Sequence, residues 1–119
     1  MKVRRGEIVM VDFPFTDGTG SKVRPALVVQ CDFNNGRLDD TIVVSITSRT
    51  ARAAVERTQL LVDPAAASGR SSGLLFASAV QCENILTVDC ASIRRRIGTL
   101  SAPVMLQIDE CLKASLAIP

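Results

Sequence analysis

Nine arginines lie between Arg24 and Arg96, and no lysine occurs between Lys22 and Lys113. A guanidinium is a planar fork that donates two parallel hydrogen bonds to phosphate or carboxylate oxygens, whereas an ammonium is a point charge. This distribution points to a phosphate-bearing partner more directly than the net charge of +2 does. Arg24 stands out because it follows a Gly-rich loop and directly precedes Pro25, which stiffens the start of an apolar run. It can donate to phosphate oxygens, or serve as a structural arginine paired with a carboxylate beside the loop. Thr47 and Ser48 close the β-branched run Thr41 to Thr47. Hydroxyls there can orient a phosphate or cap a turn.

The chain contains no His, Trp or Tyr. Histidine acid–base pairs, Ser-His-Asp and Cys-His machinery and histidine metal sites are therefore excluded. The four cysteines (Cys31, Cys82, Cys90, Cys111) form no CxxC spacing, so neither a structural zinc site nor any other cofactor is expected. Met1-Lys2-Val3-Arg4-Arg5 runs into Gly6-Glu7 with no apolar segment behind it, and no apolar run has membrane length. The expectation is a cytoplasmic protein with no membrane partner, its thiols reduced and mostly buried.

Chemistry at these positions needs a scaffold. The length of 119 residues and 47% hydrophobic content predict one domain over residues 1–119 with a real core. Strands are predicted over Glu7 to Phe13, Pro25 to Cys31, Thr41 to Thr47, Glu56 to Val62, Leu74 to Glu83 and Arg94 to Thr99. Asn34-Asn35-Gly36 reads as a turn, and a short helical turn is expected after Asp63-Pro64. From Pro103 the period changes. Val104, Met105, Ile108, Cys111, Leu112 and Leu116 fall on one face of an amphipathic helix, with Ser101 as its N-cap. Short strands followed by a closing helix predict a mainly β fold, a small barrel or strongly twisted sheet.

Three stretches taken in order resemble the MazF/PemK family. They are Arg5-Gly6-Glu7-Ile8-Val9, then Val23-Arg24-Pro25-Ala26-Leu27-Val28-Val29, then Val44-Ser45-Ile46-Thr47-Ser48. Thr87-Val88-Asp89 and the terminal Ser115-Leu116-Ala117-Ile118 match in kind and position, so the likeness spans nearly the whole chain. The resemblance implies an SH3-like barrel, here of about five to seven strands, with a C-terminal amphipathic helix. It also implies a homodimer, the toxin of a type II toxin–antitoxin pair, and metal-independent cleavage of single-stranded RNA (mRNA) at short sequences. An antitoxin with a disordered acidic tail is the implied protein partner.

The same resemblance assigns the key arginine to Arg24 and the catalytic threonine to Thr47. Where PemK-like members carry an arginine and, two residues on, an aspartate, this chain has Gln81 and Glu83. Gln81 supplies no charge, and Glu83 is a candidate general base or a solvated strand-end charge. Leu86 replaces an arginine often found before the family's threonine in the TVD-like segment. Arg49, Arg52 and Arg57 fall where the family has a loop over the RNA, where arginines can neutralise phosphates, and the Ser48 hydroxyl is a further candidate substrate contact. Phe13 and Phe15 flank the Gly-rich loop and can stack on a base or fill the core. The run Arg94-Arg95-Arg96 lies on a strand, so alternation sends Arg95 away from its neighbours, and a solvated edge strand is the competing reading. Three rival functions are a gyrase-poisoning toxin of the CcdB type, a catalytically weak RNA- or partner-binding homologue, and an SH3-like interaction module. The first lacks its Trp-Gly-Ile helix end, since this chain finishes Ala117-Ile118-Pro119.

Overall fold

The computed structural model describes residues 1–14 and 17–119. Consecutive apolar residues decide the architecture. Ile8 and Val9, Leu27 and Val28, and Val43 and Val44 are each fully buried, although neighbours on a strand point to opposite faces. The central strands are thus covered on both sides, which is why they read as continuous apolar runs rather than alternating ones.

The strands are β1 (Glu7–Pro14), β2 (Ser21–Val28), β3 (Asp40–Thr47), β4 (Gln59–Val62), β5 (Ser78–Asp89) and β6 (Ile93–Thr99). They form one antiparallel sheet in the order β4-β5-β3-β2-β1-β6. A single helical turn, α1 (Asp32–Asn35), joins β2 to β3, and α2 (Ala102–Leu116) closes the chain. On one face Ile8, Leu27, Val44, Ile46, Val80 and Cys82 pack with Val104, Met105, Ile108 and Cys111 of α2. On the other, Val9, Val11, Ala26, Val28, Val43 and Ile93 form a second cluster. The sheet does not close by hydrogen bonding, yet β5 and β6, four places apart in the strand order, both line one cleft. It is therefore curled into a barrel-like form, as expected.

Several boundaries differ from expectation for identifiable reasons. β2 begins at Ser21 and ends at Val28, so Pro25 is internal to the strand. Pairing with β3 starts only at Ala26, so on that side the missing N–H of Pro25 breaks no ladder bond. Asn34 and Asn35 belong to α1, not to a turn, and the buried Asn35 amide donates to the Gln30 carbonyl oxygen at 2.9 Å. β4 keeps only the last four residues of its predicted span, and a 3₁₀ turn sits at Ala67–Gly69. β5 runs on to Asp89 because Ser45 pairs with Gln81 while Val44 pairs with Ile85. Cys82, Glu83 and Asn84 thus have no partner on β3, a bulge that breaks the alternation that a sequence pattern relies on.

In α2 the face holds through Cys111, but Leu116 is exposed at the helix end. Ser101 occupies the N-cap position without a side-chain cap bond; its carbonyl oxygen accepts the Met105 N–H at 2.9 Å. Cys82, Cys90 and Cys111 are buried and Cys31 is exposed. The Cys82 thiol is pushed up to about 12 by burial first, then by its neighbours Cys111 and Glu83. No helix among the described residues is long and apolar enough to cross a membrane.

Candidate functional site

β2 and β3 pair over only three residues each, Ala26–Val28 with Val43–Ser45. Beyond that point the Ser21 to Pro25 half of β2 stays with β1, while Ile46 and Thr47 stay with β5. The two strands part, and a cleft of ≈ 810 Å³ opens between them. Lys22 to Pro25 form one wall, Ile46 to Arg49 another, and Gly73 to Phe76 with Arg95 and Ile97 close the remaining side. That last wall is held by close backbone approach. The Thr99 N–H donates to the Ser71 carbonyl oxygen at 3.0 Å, and the Ser71 hydroxyl donates to the Thr99 carbonyl oxygen at 2.7 Å. A Cβ on Gly73 would collide with the Ile97 carbonyl, and one on Gly98 with the Ser72 backbone, so both positions require glycine.

Arg24, Thr47, Ser48, Arg49 and Gln81, expected at the site from sequence, all line this cleft. Arg24 is exposed and, among the described residues, makes no ion pair or side-chain hydrogen bond. Its alternative reading, a structural arginine paired with a nearby carboxylate, thus finds no partner there. Thr47 is the last residue of β3 and half-buried; its hydroxyl oxygen accepts the Arg49 N–H at 3.2 Å. The turn-capping role is real, and the hydroxyl proton has no acceptor among the described residues. Gln81 lies opposite Ser45 on β3 and Gln59 on β4. The Ser45 hydroxyl donates to Gln81 Oε1 at 2.9 Å, and Asn84 Nδ2 donates to Ser45 Oγ at 2.9 Å, so the amide is held in place.

Glu83 and Arg52 do not line the cleft. Glu83 sits in the β5 bulge, where its carboxylate accepts Gln59 Nε2 at 2.7 Å. Gln59 Oε1 is buried without a partner among the described residues. Arg52 belongs to a series of tight turns in which its carbonyl oxygen accepts the N–H groups of Val55 and Glu56. Arg57 borders the end of α2 instead. Phe13 packs on the second core cluster, and Phe15 lies outside the described residues.

Among the lining residues not singled out from sequence are Lys22, Leu75, Phe76 and Ser78. Phe76 is 58% exposed and Leu75 91%, apolar surface presented in a polar cleft. The strand predicted from Leu74 had included both, but β5 begins only at Ser78 and they precede it. Arg95 also lines the cleft, while Arg94 and Arg96 are held by Asp12 and Glu7 at 2.8 and 2.6 Å. The alternation argument had separated it from its neighbours in this way. Lys22, Arg24, Arg49 and Arg95 give the cleft four cations, and no lining residue is acidic. The chain as a whole carries +2, so everything outside the cleft sums to −2. Such one-signed, partly enclosed charge focuses field on an anion.

Comparison with known proteins places the fold in a family. The family model described as "PemK-like, MazF-like toxin of type II toxin-antitoxin system" matches residues 4–116. The endoribonuclease MazF9 of Mycobacterium tuberculosis is 35% identical over 120 residues, covering 96% of each chain. The endoribonuclease EndoA of Bacillus subtilis is 30% identical over 119 residues, covering 99% of this chain and 97% of its own. A mycobacterial endoribonuclease solved in complex with its cognate antitoxin superposes with a TM-score of 0.75 at 21% identity, over 98% of this chain and 97% of that one. With the match reaching from Arg4 to Leu116 and through every element that builds the cleft, this chain belongs to the PemK-like, MazF-like toxins of type II toxin–antitoxin systems.

Proposed function

We propose that this toxin is an endoribonuclease that cuts single-stranded RNA in the β2/β3 cleft, using the RNA's own 2′-hydroxyl as nucleophile and no metal. The observation that carries the reading is the meeting of four cations with the Thr47 and Ser48 hydroxyls in a cleft without a carboxylate. In the reaction the 2′-oxygen bonds to the adjacent phosphorus, the bond to the 5′-oxygen breaks, and the products end in a 2′,3′-cyclic phosphate and a 5′-hydroxyl. Arg24 donates to the equatorial oxygens as charge accumulates on them, the kind of stabilisation worth roughly 10²–10³ in rate. Thr47, anchored by the Arg49 backbone, orients the scissile phosphate or the 2′-hydroxyl. Ser48, Arg49 and the held amide of Gln81 bind the flanking strand. Phe76 offers a face on which an unpaired base stacks.

Glu83 has no place in this arrangement: its carboxylate is tied to Gln59, outside the cleft. Arg52 is kept as an outer contact to substrate from its turn beyond the cleft. The same cationic cleft suits the acidic tail of a cognate antitoxin, which excludes RNA by occupying it. Exposed Leu106, Leu116 and Ile118 on and after α2 support a homodimer, and the setting of the reaction is the cytoplasm.

The test is incubation of the purified protein with single-stranded RNAs of varied sequence in excess EDTA. Fragments ending in a 2′,3′-cyclic phosphate are expected, and none when the nucleotide 5′ of the cut is 2′-deoxy. RNA left intact across all sequences, or cut only after a divalent metal is restored, contradicts the proposal.

A further inference from the structure

We propose that Arg95 is an RNA phosphate-binding residue of the cleft, contacting the backbone beside the scissile position and acting on affinity, not on the chemical step. The inference rests on the endoribonuclease reading above and assigns to that site a residue on β6, a strand that carries neither Arg24 nor Thr47. β6 carries three consecutive arginines, and the structure treats them differently. Arg94 Nε and Nη2 both donate to Asp12 Oδ2, at 3.2 and 2.8 Å. Arg96 Nη1 donates to Glu7 Oε2 at 2.6 Å, against a carboxylate that is almost wholly buried. Arg95 pairs with Met10 across β1, lines the cleft with it, and has no carboxylate or hydrogen-bond acceptor among the described residues.

An exposed guanidinium left unpaired beside two paired ones is the expected arrangement for a group whose acceptor arrives with the ligand. The cleft selects the ligand's charge, since none of its lining residues is acidic. The geometry also fixes where Arg95 acts. It approaches from β6, against the wall held by Gly73 and Gly98, whereas Arg24 and Thr47 approach from β2 and β3. A strand of RNA laid between those walls presents more than one phosphate, and Arg95 takes one that flanks the scissile group.

The test compares wild type, Arg95→Ala, Arg95→Lys and Arg94→Ala. Two quantities are read: affinity for a single-stranded RNA made uncleavable by 2′-deoxy substitution, as a function of salt, and steady-state cleavage of the matching all-ribose RNA. For Arg95→Ala, Kd and KM rise about five- to tenfold at 0.1 M salt, and the slope of log K against log salt falls by about 0.7, one single-strand phosphate contact. Its kcat stays within about twofold of wild type. Arg95→Lys restores most of the slope, because a point charge releases the same counterion, and Arg94→Ala leaves the slope unchanged. Unchanged affinity in Arg95→Ala, an equal loss in Arg94→Ala, or a fall in kcat with the salt slope intact each overturns the proposal. Wild-type protein that neither cuts nor binds RNA overturns the functional reading itself, a result distinct from those three. If Arg95→Ala does not fold, Arg95→Gln takes its place and must show the same rise in KM and the same loss of slope.

Discussion

Two populations of arginine, which meet side by side on β6, differ in whether a carboxylate holds them. Arg5, Arg94 and Arg96 are each committed to a carboxylate, Asp109, Asp12 and Glu7, and tie α2 and β6 to the start of the chain. Arg24, Arg49 and Arg95 line the cleft with Lys22 and have no such commitment among the described residues. Residue type does not distinguish the two groups; strand register and the parting of β2 from β3 do. The lesson is that a near-neutral protein can present a strongly cationic site by sequestering its carboxylates elsewhere. On the proposed function the paired group serves stability and the unpaired group RNA binding and cleavage, and that division can be broken experimentally.

The largest effect is expected at Arg24. Arg24→Ala should lower single-turnover RNA cleavage by roughly 10²–10³ while the thermal midpoint stays within a degree or two of wild type, since no internal contact is lost. Thr47→Ala should lower kcat about tenfold, the value of one lost hydrogen bond to the reacting group, with Thr47→Ser recovering most of it. Phe76→Ala should raise KM about fivefold and blunt preference for the base at one position, as expected for one lost stacking contact. That is read by cleaving a panel of RNAs that differ at single nucleotides.

The paired group should behave in reverse. Arg96→Ala leaves the buried Glu7 carboxylate, among the described residues, with only the Arg4 N–H at 2.7 Å, and should cost about 1–2 kcal/mol in urea unfolding with KM unchanged. The smallest effect concerns pH. The Ser21 hydroxyl, and after it Arg94, hold the Asp12 carboxyl below its ordinary range. A depressed carboxyl stabilises the fold above its unfolded value and loses that contribution as pH falls through the folded one. The stability gap between wild type and Asp12→Asn should therefore be present at pH 7 and shrink below about pH 4. A gap that instead widens on acidification would remove Asp12 from the paired group.

How much of this was legible in the sequence follows from which forces set each feature. β1, β3 and α2 were readable because burial on one or two faces writes itself into apolar patterning, as in Ile8-Val9, Val43-Val44 and Val104 to Cys111. Arg24 and Thr47 were readable as neighbours because each stands at the mouth of an apolar run, and a family likeness placed both at one site. Glu83 was not readable as lying outside, because a three-residue bulge in β5 shifts the register without any local turn signal. Phe76 carries no pattern of its own and reaches the cleft only because Gly73 and Gly98 let two backbones touch. Arg95 was half legible: alternation separated it from Arg94 and Arg96, but what lay on its side of the strand depends on how far the sheet curls.

The most direct measure of the division between the two groups is the salt dependence of wild-type binding to an uncleavable single-stranded RNA. Four free cations meeting four phosphates predict a slope of log K against log salt of about −3. A slope near zero, or one lowered as much by Arg94→Ala as by Arg24→Ala, contradicts the account.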